Sequence, residues 1–195
     1  MGTWNIFLDF DRTIAEGHSG GHRFTELSPM GEENKNAFLM NVTSWLKRGY
    51  NVAVITRGID TAIGPYFEDV LGLTPIMNDY KKGSISIYAP DEETFYAHTE
   101  TDYWALKKTE FVADILEKIG PSKSIFMDDT EANVEAMKES FPTMTCEVAE
   151  PGAYETTFAT VNSFLPKSGG SRRNQLRRRQ TRRDKRNKRT KRNMF

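Results

Sequence analysis

Phe7-Leu8-Asp9-Phe10-Asp11-Arg12-Thr13-Ile14 carries a short apolar segment, Asn5 to Phe10, into two carboxylates spaced two apart. Residues two apart on a strand share a face, and the turn beyond lets both reach one ligand. Two bare carboxylates side by side are unfavourable unless a cation or a proton offsets their repulsion. Ser124-Ile125-Phe126-Met127-Asp128-Asp129 repeats the pattern, an apolar strand ending in two acids. Between them, Asn51-Val52-Ala53-Val54-Ile55-Thr56 is an unbroken run of the kind buried on both faces of a parallel sheet.

Helical spacing fills the intervals. It predicts helices over Glu32 to Arg48, stopped by Gly49, over Thr61 to Leu71, over Trp104 to Ile119, closed by Gly120-Pro121, and over Glu131 to Lys138. Ile76, Ile85 to Tyr88, Thr94 to Ala97 and Met144 to Val148 read as short strands. Such alternation implies an α/β fold with right-handed crossovers and a parallel sheet covered on both faces. Ligands of these sheets bind beyond the carboxyl ends of the strands. Three of the strongest strands end at Asp9, Thr56 and Asp128, which places the functional expectation there.

Oxygen ligands of this kind suit Mg²⁺, which takes few protein carboxylates, retained waters and a phosphate oxygen. A metal neutralises phosphate charge and allows an anionic carboxylate to attack phosphorus, and aspartyl-phosphate formation is an established covalent route. Asp11 is placed to protonate the leaving oxygen and then to deprotonate water. Thr56 offers a hydroxyl proton to a phosphoryl oxygen, and Lys108 or Lys107 balances charge at nucleophile and phosphate. Arg57 and Arg12 are candidate phosphate contacts. His18 and His22, in the glycine-rich loop Gly17 to Gly21 and just beyond it, are candidate substrate contacts, as is Asn133. All of this requires Asp9 to lie within about 8 Å of Asp128 and Asp129, with room for an ion.

These motifs resemble those of the haloacid-dehalogenase-like (HAD) superfamily of phosphatases. The first stands as Asp9-Phe10-Asp11-Arg12-Thr13, the second as Thr56 after Val54-Ile55, and the third as Lys108 in Lys107-Lys108-Thr109. The fourth is Asp128-Asp129, with Asn133 four residues on. The match covers about residues 5–150. The resemblance implies a three-layer, Rossmann-like parallel sheet and a Mg²⁺-dependent phosphomonoesterase. In it Asp9 is the nucleophile and Asp11 the acid/base that also offers its carbonyl to the metal. Asp128 and Asp129 complete the metal set, either of them able to be the direct ligand. Because Asp11 is present, the phosphatase branch fits better than the dehalogenase branch. The short insert after the first motif, and the small excursion over residues 73–100, imply a small-cap or capless type with an open site.

The net charge of zero hides two opposite regions. Residues 167–195 hold 14 Lys/Arg against one acid, near +13, while residues 1–166 hold 13 against 26 acids, near −13. The expected organisation is a domain over 1–165 and a disordered basic tail over 166–195. Clustered arginines and lysines over 172–192, without interleaved aromatics, favour phosphate-backbone contact with nucleic acid or another polyanion. Such runs also resemble nuclear or nucleolar targeting signals, so the expected location is intracellular, with nucleus and nucleolus both open to a eukaryotic chain. The rival reading is a catalytically silent module whose function is nucleic-acid binding through this tail. No signal-peptide pattern opens the chain and no run of 18 apolar residues occurs, so no membrane partner is expected. Cys146 stands alone, which excludes an intrachain disulfide and a cysteine-based zinc site.

Overall fold

A computed structural model of the chain describes residues 3–17, 30–120 and 122–167. His18, His22 and the basic segment 172–192 lie outside the described residues. Among the described residues six strands form one parallel sheet: β1 Trp4–Leu8, β2 Asn51–Ile55, β3 Ile76–Met77, β4 Ile85–Tyr88, β5 Lys123–Asp128 and β6 Thr145–Val148. Their order is β3-β4-β2-β1-β5-β6, so the strand that delivers Asp9 sits between those that deliver Thr56 and Asp128. The register pairs Leu8 with Val54 on one side and with Met127 on the other. Asp9 and Asp128 therefore leave the sheet at the same level. The first turn past β1 is locked down: the Asp9 N–H donates to the Met127 carbonyl at 2.8 Å.

Side chains alternate across the sheet as period-two geometry demands. Phe7, Ala53, Ile55, Tyr88, Phe126 and Cys146 form one face and pack on Val112 and Ile115 of α4 (Thr101–Ile119) and Val134 and Met137 of α5 (Glu131–Ser140). Ile6, Leu8, Val52, Val54 and Ile125 point the other way and are equally buried. A second apolar group joins Phe38 and Trp45 of α1 (Glu32–Lys47) to Phe67 and to Phe158 of α6 (Tyr154–Phe164), through ring pairs 5.7 to 6.3 Å apart. Burial on both faces explains why the central strands read as continuous apolar runs.

Most predicted elements appear within a residue or two. The helix expected over Thr61 to Leu71 is α2, Asp60–Pro65, continued by a π-helical turn, Tyr66–Val70. Pro65 has no N–H to give to the preceding turn, and the regular pattern gives way there. The strand expected at Thr94 to Ala97 is instead a short helix, α3, Glu92–Ala97. Asp91 reverses the expectation: its carboxylate accepts from the Thr94 N–H at 2.7 Å, a cap that overrides the strand propensity of Thr94, Phe95 and Tyr96. Helix α6 carries little helical signal in the sequence because its threonines and valine are poor helix formers, and it is held by burial of Thr157, Phe158 and Val161. Among the described residues no helix is long and apolar enough to cross a membrane. The chain divides into two compact units, residues 1–162 and 163–195, and of the second only residues 163–167 are described.

A buried polar ladder crosses the other end of the central strands. The Asn5 side chain donates to Ser122 at 2.6 Å and Ser124 at 3.1 Å, and accepts from Asn51 at 2.8 Å; Asn51 in turn accepts from the Tyr80 hydroxyl at 2.7 Å. Asn5 is in register with both Asn51 and Ser124, so a slip in strand pairing would strand these groups. Truncating Asn5 to Ala is expected to lower stability by roughly 1–3 kcal/mol, the cost of unpaired buried polar groups. A shift of the urea midpoint at unchanged slope would measure it; no shift would mean the ladder contributes nothing net.

Candidate active site

Four distant chain segments meet where β1, β2 and β5 end. Asp9 is buried and is met by Lys108, whose Nζ lies 2.6 Å from Asp9 Oδ1 and 2.6 Å from Asp128 Oδ2. The ammonium thus bridges the two strand ends. Lys108 belongs to the inward stripe of α4 with Trp104, Ala105, Val112 and Ile115. In the sequence Lys107 is equally in step, with Phe111 and Ile115, so it is burial in the fold that distinguishes Lys108. Lys107 turns away, pairing with Glu110 at 2.9 Å and lying over the Phe111 ring.

Asp128 is fully enclosed and fully engaged. Its Oδ2 meets Lys108, and its Oδ1 accepts from the Thr130 N–H and the Asn133 amide, both at 2.9 Å. Asn133, expected as a substrate contact, is brought to Asp128 and also borders the pocket. Asp129 is only half-buried and faces the pocket, with Arg12 Nε 3.6 Å from its Oδ2. Thr13 is only a motif position in the sequence, yet it ties the two halves together. Its hydroxyl donates to Asp9 Oδ2 at 3.3 Å and accepts from the Asp129 N–H at 2.9 Å.

Arg12 occupies the left-handed region, φ 59°, a conformation costly for a side chain with a Cβ. Local bonding holds it there, since its N–H donates to Gly17 and its carbonyl accepts from the Gly152 N–H at 2.6 Å. This turn carries Asp11 to the pocket rim.

A pocket of about 150 Å³ opens over the cluster, lined by Asp9, Asp11, Arg12, Arg57, Lys108 and Asp129, among others. Thr56 is fully buried and does not line it; its Oγ1 accepts from the Gly58 N–H at 2.9 Å, which leaves the hydroxyl proton free to donate. Arg57 does line it. His18 and His22 lie outside the described residues and are not placed.

The electrostatics show an excess of negative charge. Burial pushes the Asp9 carboxyl well above the usual range; Lys108 opposes this, while Asp128 and Asp11 add to it. Burial, then Asp128, raises Asp129 as well. For Lys108, burial pulls downward, but Asp128 and Asp9 together reverse it and hold the ammonium charged. Carboxylate oxygens of Asp9, Asp128 and Asp129 lie within 4.8 Å of one another. That meets the expected separation and is close to the roughly 4 Å span of opposed ligands around a small octahedral cation. A hard divalent ion fits the donor set, which is all oxygen and carries more negative charge than Lys108 and Arg12 offset.

No protein-family model matches the sequence, and no curated protein matches it. Among solved structures, the N-terminal part of protein BF1531 from Bacteroides fragilis, described as containing a phosphatase domain complexed with Mg, is similar over 86% of this chain and 42% of that one. The TM-score is 0.57 at 20% identity. The chain thus spans less than half of that structure's length. The HAD domain of effector protein Lem4 from Legionella pneumophila, an inactive mutant, is similar over 85% of this chain and 94% of that one, with a TM-score of 0.52 at 18% identity. The parallel sheet and these likenesses establish that the chain has the α/β fold of these two structures, a HAD-like fold.

Proposed function

We propose that this chain is a Mg²⁺-dependent phosphomonoesterase that works through an aspartyl-phosphate intermediate. The observation that carries the proposal is the Lys108 ammonium bridging Asp9 and Asp128 at 2.6 Å beneath a pocket rimmed by Asp11 and Asp129. A structural ion pair has no need of two further carboxylates at a solvent-reachable rim, whereas phosphoryl transfer uses each of them.

In this reading Asp9 is the nucleophile. Lys108 holds Oδ1 and Thr13 steadies Oδ2, so the carboxylate is oriented before substrate arrives. One Asp9 oxygen forms a bond to phosphorus as the bond to the leaving oxygen breaks, and Asp11 gives that oxygen its proton. Asp11, now ionised, takes a proton from water; the resulting hydroxide attacks phosphorus, and Asp9 is released with inorganic phosphate. Thr56, buried at the end of β2 and off the pocket wall in the free chain, would turn its hydroxyl proton to a phosphoryl oxygen once substrate fills the pocket. Asp9, Asp129 and the Asp11 carbonyl would hold Mg²⁺, with Asp128 kept in place by Thr130 and Asn133 as the anchor of Lys108. When bound, the ion supplies neutralisation of phosphoryl charge.

The basic segment 172–192 favours a polyanionic substrate, such as a phosphorylated oligonucleotide end. An aryl phosphate with added Mg²⁺ is expected to be hydrolysed by the purified chain, and a chelator is expected to reduce the rate at least ~100-fold, reversibly on adding Mg²⁺. No turnover across common divalent ions would sink the enzyme reading in favour of a silent, nucleic-acid-binding module. Removing residues 167–195 should lower kcat/KM on 3′- or 5′-phosphorylated oligonucleotides and spare the small ester. Equal losses, or none, would detach the tail from substrate binding.

A further inference from the structure

The cations around the pocket are not equivalent. Lys108 is shared between two carboxylates, and Arg12 faces Asp129. Neither presents unopposed positive charge to an incoming anion. Arg57 differs: it lines the pocket, and among the described residues no carboxylate lies within ion-pair distance of it. Its Nε is buried without a hydrogen-bond partner. What braces it is aromatic. The guanidinium carbon lies 5.4 Å from the centre of the Phe95 ring and 5.3 Å from that of Trp104, and the two rings are 6.4 Å apart. These three distances form a compact triangle, so both rings lie toward one side of the guanidinium, and the residue also lines the pocket. Trp104 is itself fixed, its indole N–H donating to the His98 carbonyl at 2.9 Å.

From this we infer that Arg57, set in the corner made by Phe95 and Trp104, is the residue that captures the substrate's phosphoryl oxyanion in the ground state. The inference rests on the phosphomonoesterase reading and adds to it the group that sets affinity for substrate and for product phosphate. A partly dehydrated guanidinium without a counter-ion gains most from an oxyanion, because it has no competing partner to surrender. The rings stabilise the charge without neutralising it, since a ring quadrupole attracts a cation but leaves its N–H groups free. Lysine is not an equivalent replacement, because a compact ammonium is more strongly hydrated and lacks the planar face that packs on the rings. The segment from α3 to the start of α4 thereby becomes a specificity element, although it lies far from β2 in the chain.

The test uses the full chain with Mg²⁺ and two readouts, inorganic phosphate affinity by calorimetry and steady-state kinetics on an aryl phosphate. Arg57→Gln is expected to raise the phosphate Kd and the KM by roughly 10- to 100-fold, with a smaller change in kcat, as for loss of a hydrogen bond to a charged group. Arg57→Lys is expected to restore less than half of that loss on a logarithmic scale, and Phe95→Leu to shift both constants in the same direction by less. Lys107→Gln, which removes one positive charge from the neighbouring surface of α4, is expected to leave both unchanged. If wild type binds and hydrolyses but Arg57→Gln matches it in Kd and KM, the inference is overturned while the phosphatase reading stands. It is overturned equally if Arg57→Lys behaves as wild type, or if Lys107→Gln weakens phosphate as much as Arg57→Gln does. If wild type neither binds phosphate nor turns over ester, both fall together.

Discussion

Asp9→Asn is expected to lower kcat/KM on an aryl phosphate by roughly 10⁴-fold or more, the scale seen when a nucleophile is removed from an otherwise intact site. The substitution keeps shape and most contacts. An amide oxygen can still accept from Lys108 at the Oδ1 position, and the amide N–H₂ can donate to the Thr13 hydroxyl at the Oδ2 position. What disappears is the charge that attacks phosphorus. Because burial already disfavours the ionised Asp9, folding should not suffer, and a thermal melt within a few degrees of wild type is the accompanying expectation. Residual turnover within about 10-fold of wild type would remove Asp9 from the nucleophile's role. Unfolding of the variant would point to a structural task instead.

Lys108→Met is expected to damage the fold as well as the chemistry. Its stem fits the same channel on α4, but the ammonium that neutralised two buried carboxylates is gone. Breaking a buried pair from one side costs about 3–5 kcal/mol, because the remaining charge has neither water nor partner. Against a typical total stability of about 5–15 kcal/mol this is a large fraction, readable as a fall in the urea midpoint. A double variant, Lys108→Met with Asp128→Asn, should recover part of the loss, since one uncompensated charge has been removed. The Asn side-chain oxygen retains the bonds from Thr130 and Asn133. A coupling of roughly 0.5–3 kcal/mol is the expected result for residues in contact. Strict additivity would show that Lys108 and Asp128 do not act as a pair.

The acidic strand ends were legible because the information is local. An apolar run that stops at carboxylates specifies both a strand and what it presents beyond its end, and this holds for Asp9, Asp11, Asp128 and Asp129 alike. The choice between Lys108 and Lys107 was left open, since Lys107 stands four residues before Phe111 and eight before Ile115; burial of Lys108 with Trp104, Ala105, Val112 and Ile115 decides it. Helix α3 was lost for a different reason. The residues Thr94, Phe95 and Tyr96 favour strand, and one side-chain bond from Asp91 outweighs them.

Order and spacing along the chain therefore pointed to an α/β architecture and to carboxylates presented where β1 and β5 end, because a strand and what stands just beyond it are local features. Which of Asp128 and Asp129 faces the pocket, how Thr13 links Asp9 to Asp129, and why no carboxylate among the described residues pairs with Arg57 were decided by folding alone. Those properties arise between residues tens of positions apart, whose separation in space no periodicity records. They follow from the parallel register that brings β1 and β5 to one level and from the helix that returns Trp104 to the end of β2.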